Sequence, residues 1–245
     1  MYTSLYAPYR SDERSSSPPY PPPTVAQYAP SRHTSPPARA PPPARAPTVY
    51  VFDLDDVLMP TTALFQQPGV REWLNHAYDS QQMQRIAFAY QRVLHPNPTL
   101  IHYLHRLPGQ KHVLTNASRV HAQAALYALG LEPYVQSVVD ANQGLPLKPN
   151  PMPYTYLQNT IVQQLQRHVA YPPRSAAAHA ALRPRMVFFD DRVENHLVPK
   201  RLGWTTVWIY GCLSERERSG YTVIPSHVDL AFATIEEALR HFLAL

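Results

Sequence analysis

The stretch Val49-Tyr50-Val51-Phe52, running straight into Asp53-Leu54-Asp55-Asp56-Val57, decides the fold. A short run of β-branched and aromatic residues without alternation matches a strand buried on both faces, the pattern of a parallel sheet. Its acids begin where the apolar run stops. The same texture recurs at His112–Leu114 before Thr115, Val135–Val139 before Asp140, Met186–Phe189 before Asp190, and Thr206–Ile209. Helical patterns separate these runs: Arg119–Leu129 closed by Gly130, Pro153–Gln166, and Glu194–Leu202 closed by Gly203, with Asn97–Leu107 ahead of the second strand. Strand and helix in alternation predict an α/β domain, a parallel sheet flanked by helices that binds its ligands beyond the carboxyl ends of the strands.

Outside this core the texture differs. Residues 60–95 read as helical throughout, a small insertion after the first strand in which Phe65, Trp73, Tyr78, Phe88 and Tyr90 either pack together or stack on a planar ligand. The interval His168–Arg185, rich in alanine, proline and arginine, reads as an enlarged surface loop. Residues 1–47 form a proline-rich segment, with Pro21-Pro22-Pro23 and Pro41-Pro42-Pro43, that buries too little apolar surface to order itself. The organisation expected is a disordered tail over 1–47 and one catalytic domain over 48–245, the tail serving as a tether or as the docking site of a proline-binding protein.

The chain carries a formal net charge of +5 over 245 residues. Five arginines against Asp12 and Glu13 place +3 of it in the tail. The folded part is therefore near neutral, and no groove for specific nucleic-acid binding is expected. A single cysteine, Cys212, allows no intrachain disulfide, and no apolar stretch is long enough for a membrane span or shaped like a secretory signal. The reading is a cytoplasmic or nuclear protein without a membrane partner.

Four groups of residues carry chemistry. Asp53 and Asp55 stand where the chain leaves the first strand, so one can act as nucleophile and the other exchange protons. Thr115 and Asn116 end the second strand, where a hydroxyl and backbone amides can hold phosphate oxygens or simply cap a helix. Lys148 is one of only three lysines and could balance the charge of a phosphoryl group. Asp190 and Asp191 are adjacent acids that repel unless a cation lies near, and magnesium, which takes carboxylate oxygens, is the economical choice. The 12 histidines show no ligand spacing and read as surface or packing residues.

In order, Asp53 to Val57, Thr115, Lys148, and Asp190 with Asp191 resemble the four motifs of the haloacid dehalogenase superfamily. LTNASRVHAQAALYALG over Leu114–Gly130 and FFDDRVENHLVPKRLGWTTV look most like its pyrimidine 5′-nucleotidase subgroup, and Val228–Leu239 resembles that group's final strand and helix. The resemblance implies that Asp53 attacks phosphorus, and that Asp55 protonates the leaving oxygen and then activates water. It implies magnesium on Asp53, the Asp55 carbonyl and Asp191, supported by Asp190. Thr115, Asn116 and Lys148 would bind the phosphoryl group. The acid at position 55 disfavours a dehalogenase. The 60–95 insertion is shorter than the helical cap of those nucleotidases, and Asp56 replaces the glycine or asparagine of many relatives. The function expected is a magnesium-dependent phosphatase acting through an aspartyl-phosphate on a small ester, with a nucleoside 5′-monophosphate the substrate that the resemblance implies. Two alternatives stand beside it: a phosphoprotein phosphatase, and a silent binding module that recruits partners through the tail.

Overall fold

The apolar runs become the centre of one sheet. In the computed structural model, which describes residues 46–72, 83–167, 183–221 and 223–244, six parallel strands lie in the order β3-β2-β1-β4-β5-β6. They are β1 Thr48–Phe52, β2 Gln110–Leu114, β3 Ser137–Val139, β4 Arg185–Asp190, β5 Thr205–Ile209 and β6 Leu230–Phe232. Residues 1–45 of the tail expected to be disordered, Trp73, Tyr78 and most of the 168–185 loop lie outside the described residues. Among the described residues no helix is long and apolar enough to cross a membrane.

Both faces of the central strands are buried, which is why they read as continuous runs. On one side Tyr50, Phe52, Val113 and Phe189 pack with residues of α2 (Met83–Gln91), α3 (Pro98–Arg106), α4 (Arg119–Ala128) and α8 (Ile235–Leu243). On the other, Val49, Val51, Leu114 and Phe188 meet Tyr154, Leu157 and Ile161 of α5 (Pro151–Arg167). The Phe52 and Phe189 rings stack with centroids 4.8 Å apart, and burying each contributes about 2–3 kcal/mol. Helix starts follow the expected chemistry. Asn97 accepts from Thr99 N and Leu100 N with Pro98 in the first turn, and Ser118 and Thr234 cap α4 and α8. At the turn into β2, Gly109 has φ +109° and a Cβ there would lie 2.2 Å from the Thr48 carbonyl oxygen, so only glycine fits.

Two expected helices are corrected. The 60–95 stretch is not helical throughout: α1 (Thr61–Phe65) stops, and the chain turns through Pro68 and Gly69 at φ 76°. Proline and a left-handed glycine together cannot continue a helix. Further along, Ile86 and Tyr90 of α2 are buried in the main core, whereas Phe88 is 63% exposed. The segment expected over Glu194–Leu202 starts as a 3₁₀ turn, Val193–His196, and continues as α6, Leu197–Arg201, before Gly203. A further short helix, α7, spans Glu215–Ser219.

His112 gives the fold a pH dependence. It is buried, its Nδ1 lies 2.7 Å from the Ser137 hydroxyl, and burial pushes its pKa down to about 4. The unfolded chain then binds this proton more readily, so the stability His112 contributes is present above pH 6.5 and lost as pH falls toward 4. Urea unfolding should show the parent losing about 2–3 kcal/mol more than His112→Asn between pH 7 and pH 4.

Candidate active site

Chain order reverses at β1, whose neighbours are β2 on one side and β4 on the other. Such a switch point opens a crevice at the carboxyl ends of the strands. Register places the acids there. Phe52 pairs with Val113 and with Phe189, and Asp53 N donates to Phe189 O at 2.8 Å, so Asp53 stands level with Asp190 and one residue short of Thr115.

Lys148 sits well beyond the end of β3, in the turn ahead of α5. Asn116 brings it back: its side-chain amide donates to Lys148 O at 3.0 Å, and its oxygen accepts from Lys148 N at 2.8 Å. The ammonium thereby lies 2.8 Å from Asp53 Oδ1 and 2.7 Å from Asp190 Oδ2, with all three residues buried. Burial opposes the ammonium charge, but Asp190 and Asp53 outweigh it and hold Lys148 above the usual lysine range. For Asp53, burial pushes the pKa well above the carboxylate range. Lys148 offsets this only in part, because Asp190 and Asp191 add like charge.

Asp190 is fully engaged. Its oxygens accept from Lys148 Nζ, from Arg192 N at 2.9 Å, and from Asn195 Nδ2 at 2.9 and 3.1 Å. Its neighbour Asp191 is less enclosed, and burial followed by the charges of Asp190 and Asp56 raises it to about 7. One oxygen each from Asp53, Asp190 and Asp191 lie within 4.8 Å of one another. Three hard oxygen donors, of which Asp53 and Asp191 have their pKa values raised by burial and like charge, fit a divalent cation, which would remove the repulsion. A second grouping of Asp56, Asp191 and Cys212 fits less well, because burial and then Asp191 push the Cys212 thiol up to about 12 and keep it protonated.

Asp55 is held apart from this cluster. Its Oδ1 accepts from the Thr61 hydroxyl at 2.7 Å and lies 3.0 Å from His121 Nε2, while His121 Nδ1 lies 2.7 Å from the Tyr90 hydroxyl. Burial acts to raise its pKa, but the hydrogen bond and field of His121, with Thr61, outweigh it and leave Asp55 below the usual value. Asp56 adopts φ 58°, a left-handed conformation that glycine and asparagine take most easily, and accepts from Thr62 N at 2.7 Å and Thr62 Oγ1 at 2.6 Å. Thr115 is buried, its oxygen accepting from Ala117 N at 3.0 Å, and Ser118 takes the capping position. Asp140 faces elsewhere, capping Asn142 N and pairing with Arg119 at 3.2 Å.

Sequence reasoning did not single out Thr61 or Asn195, read Tyr90 only as a packing or stacking ring, and set His121 among surface or packing histidines. His121 could have been suspected from its place in the first turn of the helix that follows Thr115. Asn195 lies in a 3₁₀ turn with no periodicity to mark its buried side.

Neither a family model nor a curated protein sequence matches the chain. Solved structures do. A protein from Thermotoga maritima, provisionally named a beta-phosphoglucomutase, aligns with TM-score 0.51 at 16% identity over 81% of this chain and 99% of that one. A haloacid dehalogenase-like protein of unknown function from Agrobacterium tumefaciens gives 0.51 at 12% identity over 80% and 97%. The chain has the haloacid dehalogenase-like fold. A dehalogenase solved with an intermediate complex also matches, with TM-score 0.51 at 15% identity over 80% of this chain and 97% of that one. The haloacid dehalogenase-like fold thus hosts different named activities, and the reaction has to be argued from side chains.

Proposed function

We propose that the chain is a magnesium-dependent phosphomonoesterase that forms an aspartyl-phosphate at Asp53. The observation carrying this reading is the second carboxyl, Asp55, held by Thr61 and His121 apart from the Lys148 cluster. Hydrolysis of a phosphate ester needs a proton delivered to one oxygen and removed from another. A residue so placed can do both.

In the first half-reaction the Asp53 carboxylate attacks phosphorus, the bond to the ester oxygen breaks, and Asp55 gives that oxygen its proton. In the second, Asp55 takes a proton from water, the water oxygen bonds to phosphorus, and Asp53 leaves as free carboxylate. The free protein holds Asp55 ionised, the state the second half needs. A bound phosphoryl group, itself negative, raises Asp55 so that it takes up the proton used in the first. Lys148 and the backbone beyond Thr115 would bind the phosphoryl oxygens. Asp53, Asp191 and the Asp55 carbonyl would hold magnesium, which supplies positive charge against the phosphoryl oxygens and keeps Asp53 ionised.

A small ester is favoured, with nucleoside 5′-monophosphates first among candidates. The resemblance of Leu114–Gly130 and Phe188–Val207 to pyrimidine 5′-nucleotidases supports this choice; the cavity of about 640 Å³ lined by Asp56, Thr62, Gln66 and Cys212 is bordered by none of Asp53, Asp55, Lys148 or Asp191 and does not enter it. The test is phosphate release from nucleotides, sugar phosphates and phosphopeptides, with magnesium and with chelator, alongside thermal melts. Turnover should require the metal. Saturating magnesium at about a hundred times its Kd should stabilise the parent by about 2.7 kcal/mol and leave Asp191→Asn unchanged. Metal-independent turnover, or none on any ester, would sink the proposal.

A further inference from the structure

Asp55 is fixed by a relay that begins outside the residues assigned to chemistry. Tyr90, on α2 and fully buried, places its hydroxyl 2.7 Å from His121 Nδ1, and the two rings meet edge to face at 5.5 Å. His121, in the first turn of α4, brings Nε2 to 3.0 Å from Asp55 Oδ1. With Asp55 ionised, that nitrogen must carry the proton. Thr61 donates to the same oxygen at 2.7 Å. Two donors therefore converge on Oδ1, and among the described residues no side chain bonds Oδ2.

We propose that His121, oriented by Tyr90, is a positioning residue that fixes the Asp55 carboxyl by Oδ1 and so reserves Oδ2 for the proton exchanged with ester and water. The proposal rests on the phosphatase reading above. It assigns the pair a task that α1, α2 and α4 share: Thr61 and Tyr90 come from the 60–95 insertion, His121 from the core helix after Thr115. A carboxyl held by Thr61 alone keeps its place in the chain but is free to turn about one bond. Proton transfer, which depends on reach and angle, suffers first.

The test uses two ester classes in the full-length protein with magnesium. An alkyl phosphate needs a proton on its leaving oxygen, whereas 4-nitrophenyl phosphate releases a stable phenolate without one. His121→Ala should lower kcat/KM for the alkyl ester by 30-fold or more and for the nitrophenyl ester by less than 3-fold. A burst of nitrophenolate should precede slowed turnover, because water activation also uses Asp55. His121→Gln, whose amide can still donate, should recover part of the alkyl-ester rate, and Tyr90→Phe should follow His121→Ala at a smaller size. Equal losses on both esters would overturn the proposal and leave His121 a packing residue; so would no loss on either. If the parent hydrolyses no ester, the phosphatase reading falls separately. Nitrogen-15 NMR of the imidazole then decides the relay: a slowly exchanging His121 Nε2 proton that vanishes in Asp55→Ala supports it, and a rapidly exchanging one in the parent refutes it.

Discussion

Lys148→Met is expected to lower the free energy of unfolding by about 3–5 kcal/mol and the turnover rate by about 10²–10³-fold. The ammonium lies 2.8 Å from Asp53 and 2.7 Å from Asp190, and Asp190 is fully buried. Methionine fills much of the same space, so the loss is one of charge: two enclosed carboxylates face each other with Asp191 beside them. Urea unfolding with and without magnesium separates the two effects. The cation should restore part of the stability by sitting among the acids, yet leave activity low, because the phosphoryl oxygens still lack their ammonium partner. A Lys148→Met protein as stable as the parent without metal would show that the three charges are not coupled as the distances require.

Asp53→Asn should behave in the opposite way. Turnover should fall by about 10⁴-fold or more, since an amide cannot form the acyl-phosphate bond. Stability should change by less than about 1 kcal/mol, or rise, because Asp53 is held against burial and the like charges of Asp190 and Asp191. Lys148 keeps its bond to Asp190 in the variant. Parallel activity assays and chemical unfolding test both halves. Retained phosphate release would remove Asp53 from the nucleophile's role, whereas a large loss of stability would mean that its pairing with Lys148 matters more to the fold than the repulsion does.

The central strands were legible because each is buried on both faces, as at Val49–Phe52 and Met186–Phe189. Strand β6 was harder to see, for Leu230, Ala231 and Phe232 are only half-buried, and only the resemblance marked it. Asp53 and Asp190 could be placed from the ends of their apolar runs. Lys148 could not, because Asn116, 32 residues earlier, decides where it returns. The contact of His121 with Asp55 spans 66 positions and depends on helix phase, strand register and the seat of α2 together. Local periodicity contains none of these. The break at Pro68-Gly69 was present in the sequence and was outweighed by the helical pattern on either side.

The sheet order also makes the site depend on the longest-range pairing of its central strand. Both pairings of β1 are long-range, Val49 with Gln110 of β2 and Thr48 with Arg185 of β4, and the second closes the longer loop. Contacts of such sequence separation form slowly, because the entropy of loop closure opposes them until the strands meet. Asp190 and Asp191 lie at the end of β4, so if that strand docks last, a refolding chain with β1, β2 and α4 assembled would hold Asp55 against His121 yet lack the paired acids. Uptake of a divalent cation during refolding would therefore time the docking of β4, the step that joins the two halves of the sheet.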